Sequence, residues 1–357
     1  MLWHCGYRHT EWGRMNREEW MEFYQENIYG TWRCGETVTY VMGEDHAITI
    51  CVQAGERKAE FTIKVQLPVP GAGDSYDGGS PFLVCMHPIP SEGYALEHGY
   101  AVLTMDSYQI ASDDYAHKGA FYELYPYDGK QTGVLMAWAW GASKVLDAVY
   151  AGLDRELGLN AEASLVTGVS RWGKATAVCG AFEKRFKMVI PACSGAGGLA
   201  LYDVVSTGKK YDFRSIGGPE DYIYGDNEPL SCLQSDAERG WFVDRFLQYR
   251  DAEAIPVSQS MLPVLAADES RFYFIIGACM KEDWVNAPAM WECFKRAEES
   301  YREMGLSDHL VEHFHAEGHA VIEEDMRLLI DYFNHMYYGQ ELHVSMRDLK
   351  TSVFDNQ

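Results

Sequence analysis

The sequence is short of basic residues: 30 Lys and Arg stand against 53 Asp and Glu, a formal net charge of −23. Surfaces that hold nucleic acid or an anionic membrane need clustered Lys and Arg, so the charge balance argues against both partners. Acidity names no other partner and reads as a solvated surface. Long apolar runs are also missing, and none approaches the roughly 20 residues needed to span a bilayer. The opening residues Met1-Leu2-Trp3-His4-Cys5 show neither the basic nor the apolar region of a signal peptide. Nine cysteines are scattered at positions 5, 34, 51, 85, 179, 193, 232, 279 and 293, an odd number without a C-x-x-C pair. That pattern predicts reduced, mostly buried thiols in a cytoplasmic protein, and neither a disulfide framework nor a zinc site. There is no internal repeat, no low-complexity segment and no motif that calls for a cofactor. The common serine-hydrolase signature G-x-S-x-G is absent as well.

What is present is enough apolar sequence for a large core: 47% of the 357 residues are hydrophobic and 13% aromatic. A helix is expected over 16–28, with Trp20, Phe23, Tyr24 and Ile28 at helical spacing. Two strand-like runs, 46–53 and 59–67, read as a hairpin, and 68–81 as a loop. Strands and helices then alternate. Strands are predicted over 82–86, 100–105, 163–169, 188–192, 271–278 and 309–314. Helices are predicted over 132–150, 175–186, 288–304 and 322–338. Alternation of this kind implies a mostly parallel sheet covered on both faces. The expected fold is therefore a single α/β-hydrolase domain over 1–357, a three-layer sandwich with an N-terminal antiparallel hairpin. Residues 1–40 form an N-terminal extension. The polar stretch 198–263 interrupts the alternation and reads as a cap over the catalytic edge.

The most informative stretch is Gly168-Val169-Ser170-Arg171-Trp172-Gly173-Lys174. An apolar strand leads into it and a helix-compatible run leaves it, which is how a nucleophile elbow is built. In the usual elbow the second glycine stands two residues after the serine; here Trp172 holds that place and Gly173 follows. A serine hydroxyl needs a base, and the base needs a group that fixes its tautomer. In this fold the chain order is Ser, acid, His. The loop after the strand 271–278 reads Cys279-Met280-Lys281-Glu282-Asp283-Trp284. Asp283, with the shorter and more rigid side chain, is the expected acid, and Glu282 the fallback. Among twelve histidines, His319 lies in Glu317-Gly318-His319-Ala320, between the last strand and the last helix. His309, His313 and His315 stand just upstream but lack a carboxylate- or Cys-rich second set, so no metal site is expected. On a strand, His309 and His313 share a face, while His315 falls in the loop.

The segment GVSRWGKATAVCGAFEKRF at 168–186, followed by SGAGGLAL at 194–201, resembles the glucuronoyl esterases of carbohydrate esterase family 15, in their bacterial form. Their elbow reads G-x-S-R-x-G-K. YPYDGKQTGVLMAWAWGASKVLDAV, GWFVDRF, EDWVNAP and GHAVIEEDMRLLIDYF continue the likeness in order, over roughly residues 80–338. The resemblance implies a carboxylic ester hydrolase that cleaves the ester of a glucuronic acid carboxyl, as in the glucuronoxylan–lignin links of plant cell walls. It implies that Ser170 attacks and forms an acyl-enzyme, that His319 moves the proton, and that Arg171 stabilises the oxyanion. Lys174, Trp284 and Glu238 would contact the sugar. Read without the resemblance, Lys174 is a surface helix lysine and Trp284 a ring packed under the acid loop.

Two departures stand out. Fungal members place the triad acid in a Pro-x-Glu-Ser-Gly segment, where this chain reads Pro191-Ala192-Cys193-Ser194-Gly195. Bacterial members show an Asp and a His where Ser258 and Ser260 stand. Two further readings therefore remain: an acetyl or feruloyl esterase with the same triad, and a non-catalytic carbohydrate-binding relative. The expected partner is a small carbohydrate ester, and no oligomeric state is implied.

Overall fold

The computed structural model describes residues 15–71, 76–128 and 132–356. Cys5 and residues 72–75 of the expected loop 68–81 lie outside the described residues. A nine-stranded sheet runs through the molecule in the order β1-β2-β3-β5-β4-β6-β7-β10-β11. Its strands are β1 (Thr37–Met42), β2 (Ala47–Ala54), β3 (Arg57–Gln66), β4 (Ser80–Cys85), β5 (Ala101–Met105), β6 (Leu159–Val169), β7 (Met188–Ala192), β10 (Phe272–Ala278) and β11 (Leu310–His315). Strands β1, β2 and β3 form an antiparallel meander, and β3 joins β5 antiparallel. From β5 to β11 every pairing is parallel. The strand β1 was not foreseen. It begins inside the expected 1–40 extension, so that segment contributes the edge of the sheet itself.

Parallel strands need crossover helices, and these cover both faces. Successive residues of a strand point to opposite sides: Val166 of β6 belongs to one core and Leu165 to the other. The first core lies under the helices Val134–Ala148, Arg171–Phe182 and Ala287–Glu303, the second under Glu323–Tyr338. Helix Val134–Ala148 is buried on all sides except at Asp147. An apolar helix of that kind belongs in the interior of a large domain. The expected helix 16–28 forms as Arg17–Tyr24 and widens into a π-type turn at Gln25–Tyr29. The described cysteines are all free thiols.

The cap is as irregular as its composition implies. It consists of short turns, the helix Leu230–Leu233 and a two-stranded ribbon, β8 (Lys210–Tyr211) and β9 (Tyr222–Ile223). Ser258 and Ser260, where the sequence departs from bacterial relatives, are buried and hydrogen-bond each other at 2.8 Å. They belong to the interior.

The helix that leaves Ser170 begins at Arg171, earlier than the expected 175, and ends at Phe182. Its C-terminal end is held by Arg271, which is buried and donates to four main-chain carbonyls: Gly180, Glu183, Phe186 and Ala266, at 2.9–3.0 Å. A cation there complements the negative end of the helix dipole and satisfies carbonyls that have no helical partner. Replacing it leaves several buried acceptors unpaired. Arg271→Ala is therefore expected to lower unfolding stability by on the order of 3 kcal/mol or more, read as a shifted midpoint in denaturant. A change under about 1 kcal/mol would show that water replaces the guanidinium.

Candidate active site

Ser170 sits at φ +64°, ψ −126°, a strained conformation for a residue with a side chain. Two glycines make the bend possible. A Cβ on Gly168 would stand 2.7 Å from the Trp172 main chain, and one on Gly173 would collide with the Ala192 carbonyl of β7. The close approach of helix to sheet is thus made three residues after the serine. This explains how an elbow without G-x-S-x-G closes. The Ser170 N–H donates to the Ala192 carbonyl at 3.0 Å, and the Ser170 carbonyl accepts the first helical bond, from Lys174 N–H, at 2.9 Å. The N–H of Arg171 lies in the first turn, where helix N–H groups have no helical acceptor.

His319 lies in the loop between β11 and the helix Glu323–Tyr338, at the same edge of the sheet. Its Nδ1 is 3.6 Å from Oε2 of Glu282, in ion-pair range but longer than a hydrogen bond. Asp283 does not fill the expected place. Its Oδ1 accepts from Tyr222 OH at 2.9 Å, and its Oδ2 accepts from Gly225 N–H at 2.9 Å. The two carboxylates are neighbours on one turn and point apart. The short side chain, at the start of the turn Asp283–Val285, braces the cap, and the longer one reaches the imidazole. The acid beside His319 is Glu282.

Burial lowers the His319 pKa, Glu282 raises it, and Lys174 and Arg171 push it down further. The charges of Glu282, Lys174 and Arg171 are therefore all felt at this imidazole. His313 and His315 form a separate arrangement with the fully buried Asp325. That carboxylate faces His313 Nδ1 at 2.6 Å and accepts from Ile322 N–H at 2.8 Å. His315, expected in the loop, is the buried last residue of β11, with Nε2 3.4 Å from Asp325. Asp325 thereby fixes the end of the loop that carries His319.

Lys174 is buried, not a surface lysine. Its Nζ donates to Oε2 of Glu228 at 2.7 Å and to the Ala196 carbonyl at 2.5 Å, and it lies 5.6 Å from the centre of the Trp241 ring. Two of its three N–H donors are thus engaged. Glu238 is half-buried beside this pair. One of its oxygens, Oε2, is buried without a hydrogen-bond partner, and its pKa is raised by burial and by Glu228. Trp284 is 42% exposed, so it does not pack beneath the acid loop; its carbonyl accepts from Glu228 N–H at 2.8 Å. Lys174, Glu228, Glu238 and Trp284 thus form one polar wall with an aromatic rim.

The Arg171 guanidinium is ion-paired with Asp113 and lies 5.4 Å from the Trp241 ring centre. On the other side of the elbow, the Trp172 ring stacks on His87 at 4.1 Å. Burial and the neighbouring His319 lower the His87 pKa to about 4, so this imidazole is neutral. A groove of about 660 Å³ opens there, walled in part by Trp172, Tyr108, Pro88 and Met105.

Sequence reasoning missed Asp113, Glu228, Trp241 and His87. Only His87 carried a usable signal: it stands two residues past the end of β4, in the loop from which this fold draws a second oxyanion N–H.

A family model described as "Glucuronyl esterase, fungi" matches residues 50–305. A "Multidomain esterase" of Ruminococcus flavefaciens is 45% identical over 343 residues, covering 93% of this chain and 44% of that protein. A "4-O-methyl-glucuronoyl methylesterase" of Hypocrea jecorina is 28% identical over 276 residues, covering 73% of this chain and 52% of that protein. The chain thus spans about half the length of these relatives. A solved structure of a "carbohydrate esterase family 15 (CE15) glucuronoyl esterase" from Caldicellulosiruptor kristjansonii superposes with a TM-score of 0.86 at 32% identity, covering 95% of this chain and 88% of that one. The elbow G-x-S-R-x-G-K, the sheet behind it and these likenesses agree: the chain belongs to the glucuronoyl esterase family, carbohydrate esterase family 15.

Proposed function

We propose that this chain hydrolyses the ester of a glucuronic acid carboxyl, with Ser170 as nucleophile, His319 as base and Glu282 as its orienting acid. The observation that supports this reading is the strained elbow at Ser170, with the His319–Glu282 pair at the same edge of the sheet and the Lys174–Glu228 pair on the helix that leaves the serine. The relative named a 4-O-methyl-glucuronoyl methylesterase supports the choice of acyl group.

The chemistry follows from the arrangement. His319 is neutral at neutral pH because burial lowers its pKa. It accepts the Ser170 proton as Oγ bonds to the ester carbonyl carbon. The carbonyl oxygen becomes an oxyanion, which the Arg171 N–H and guanidinium stabilise; a guanidinium keeps its proton throughout. Collapse breaks the bond to the alcohol oxygen, and His319 returns the proton to the departing alcohol. Water, deprotonated by His319, then attacks the acyl-enzyme carbonyl; the bond to Ser170 Oγ breaks, His319 returns the proton to Oγ, and the uronic acid is freed. Glu282 offsets the charge that His319 gains. Lys174, with Glu238 and the Trp284 ring, holds the sugar on the acyl side, and the groove beside Trp172 receives the alcohol.

Three outcomes test this reading. Ser170→Ala and His319→Ala should each lower kcat by about 10⁴-fold or more, and Glu282→Gln by about 10²-fold or more, while Asp283→Asn changes kcat by less than about tenfold. Kinetics of the methyl ester of glucuronic acid measure this, and the reverse order for the two acids would restore Asp283. In wild type, the acidic limb of kcat/KM should lie below the ordinary imidazole value of about 6.5. In Glu282→Gln it should move lower still, because the charge that raises the His319 pKa is gone. A limb that moves up would sink the assignment. Finally, Trp284→Ala should raise KM for the uronate ester about tenfold and leave p-nitrophenyl acetate unaffected. Wild-type turnover of acetate but not of the uronate ester would favour the acetyl esterase reading.

A further inference from the structure

Arg171 is the residue asked to meet the oxyanion, and a long side chain that is 39% exposed has many rotamers to lose. What restrains it is Asp113. One carboxylate oxygen pairs with Arg171 Nη1, and the other accepts from Trp241 Nε1 at 2.7 Å. Asp113 is itself held in a braced turn. Ser112 N–H donates to the Lys118 carbonyl at 2.8 Å, and Asp114 Oδ1 accepts from Ser112 Oγ and Ala116 N–H, each at 2.8 Å. The turn presses on the cap: a side chain on Gly240 would collide with the Asp114 carbonyl. Tyr115 OH donates to Asp244 at 2.8 Å, and the Arg239 guanidinium lies 4.2 Å from the Tyr115 ring centre. Trp241 also lies beside the Lys174 ammonium.

We propose that Asp113 is a positioning residue: it fixes the Arg171 guanidinium for the oxyanion and ties it, through Trp241, to the cap segment over the sugar wall. Because Asp113 pairs with Arg171, the arginine acts through directed N–H donors more than through net charge. The inference rests on the esterase reading given above.

The test is a double-mutant cycle in the full chain, run on whichever ester the wild type cleaves, the methyl ester of glucuronic acid or p-nitrophenyl acetate. Asp113→Asn keeps the shape of the side chain and removes its charge. It should lower kcat about tenfold with KM within about twofold. In an Arg171→Ala background the same change should cost less than about twofold, since the group it positions is absent. Should Asp113→Asn fail to fold, Trp241→Phe carries the test, because it keeps the ring and removes only the N–H. It should lower kcat severalfold in wild type and not in Arg171→Ala. An unchanged kcat, or an equal loss in both backgrounds, would show that Asp113 serves the fold alone and overturns the proposal. A wild type that cleaves acetate but not the uronate ester sinks only the sugar reading. A wild type inert on both esters sinks the esterase reading and this inference together.

Discussion

The close approach of the catalytic helix to the sheet, at Gly168 and Gly173, is the constraint on which the site depends. The Gly173 Cα lies against the Ala192 carbonyl, and the Ser170 N–H bonds the same oxygen. That contact sets the helix start, and the helix start sets everything aligned on it. Arg171 leaves the first turn toward Asp113, Trp172 toward His87, and Lys174 toward Glu228. Arg271 holds the other end of the same helix by its carbonyls. The strain at Ser170 is thus carried by a rod fixed at both ends.

A chain with a net charge of −23 keeps two cations on the first turn of the helix that leaves Ser170, and both are paired. Arg171 has Asp113 and Lys174 has Glu228. Burying an unpaired ammonium is costly, and a pair that also satisfies hydrogen bonds lowers that cost. The pairing has a chemical effect as well. Each cation depresses the His319 pKa, while Glu228 and Glu282 raise it. The base strength of the imidazole is therefore set by the balance of several charges as well as by its burial.

Much of the fold was legible in the sequence because buried parallel strands and long amphipathic helices leave periodic patterns. The bend at Ser170 and the loop position of His319 were legible because each stands just beyond a strand end. The choice between Glu282 and Asp283 was not legible. Adjacent carboxylates on one turn differ by a single rotation of the chain, and reach alone favoured Asp283, whose oxygens face Tyr222 and Gly225 while Glu282 faces His319. Asp113, Glu228 and Trp241 were hidden for another reason. They come from an irregular loop and cap, where no period links a residue to its partner. Strand β1 is an exposed edge, and its Thr, Val and Tyr residues carry a β signal that passed unread beside the stronger hairpin.

The two carboxylates left on that turn have a mechanical consequence. Asp283 is bolted to the cap ribbon through Tyr222 and Gly225, and Glu282, its neighbour, faces the imidazole. The two side chains share one short turn, so the anchor on the cap ribbon and the carboxylate beside His319 have a common backbone support. The position of the carboxylate that raises the His319 pKa is thus set by the same turn that ties the cap to the sheet edge.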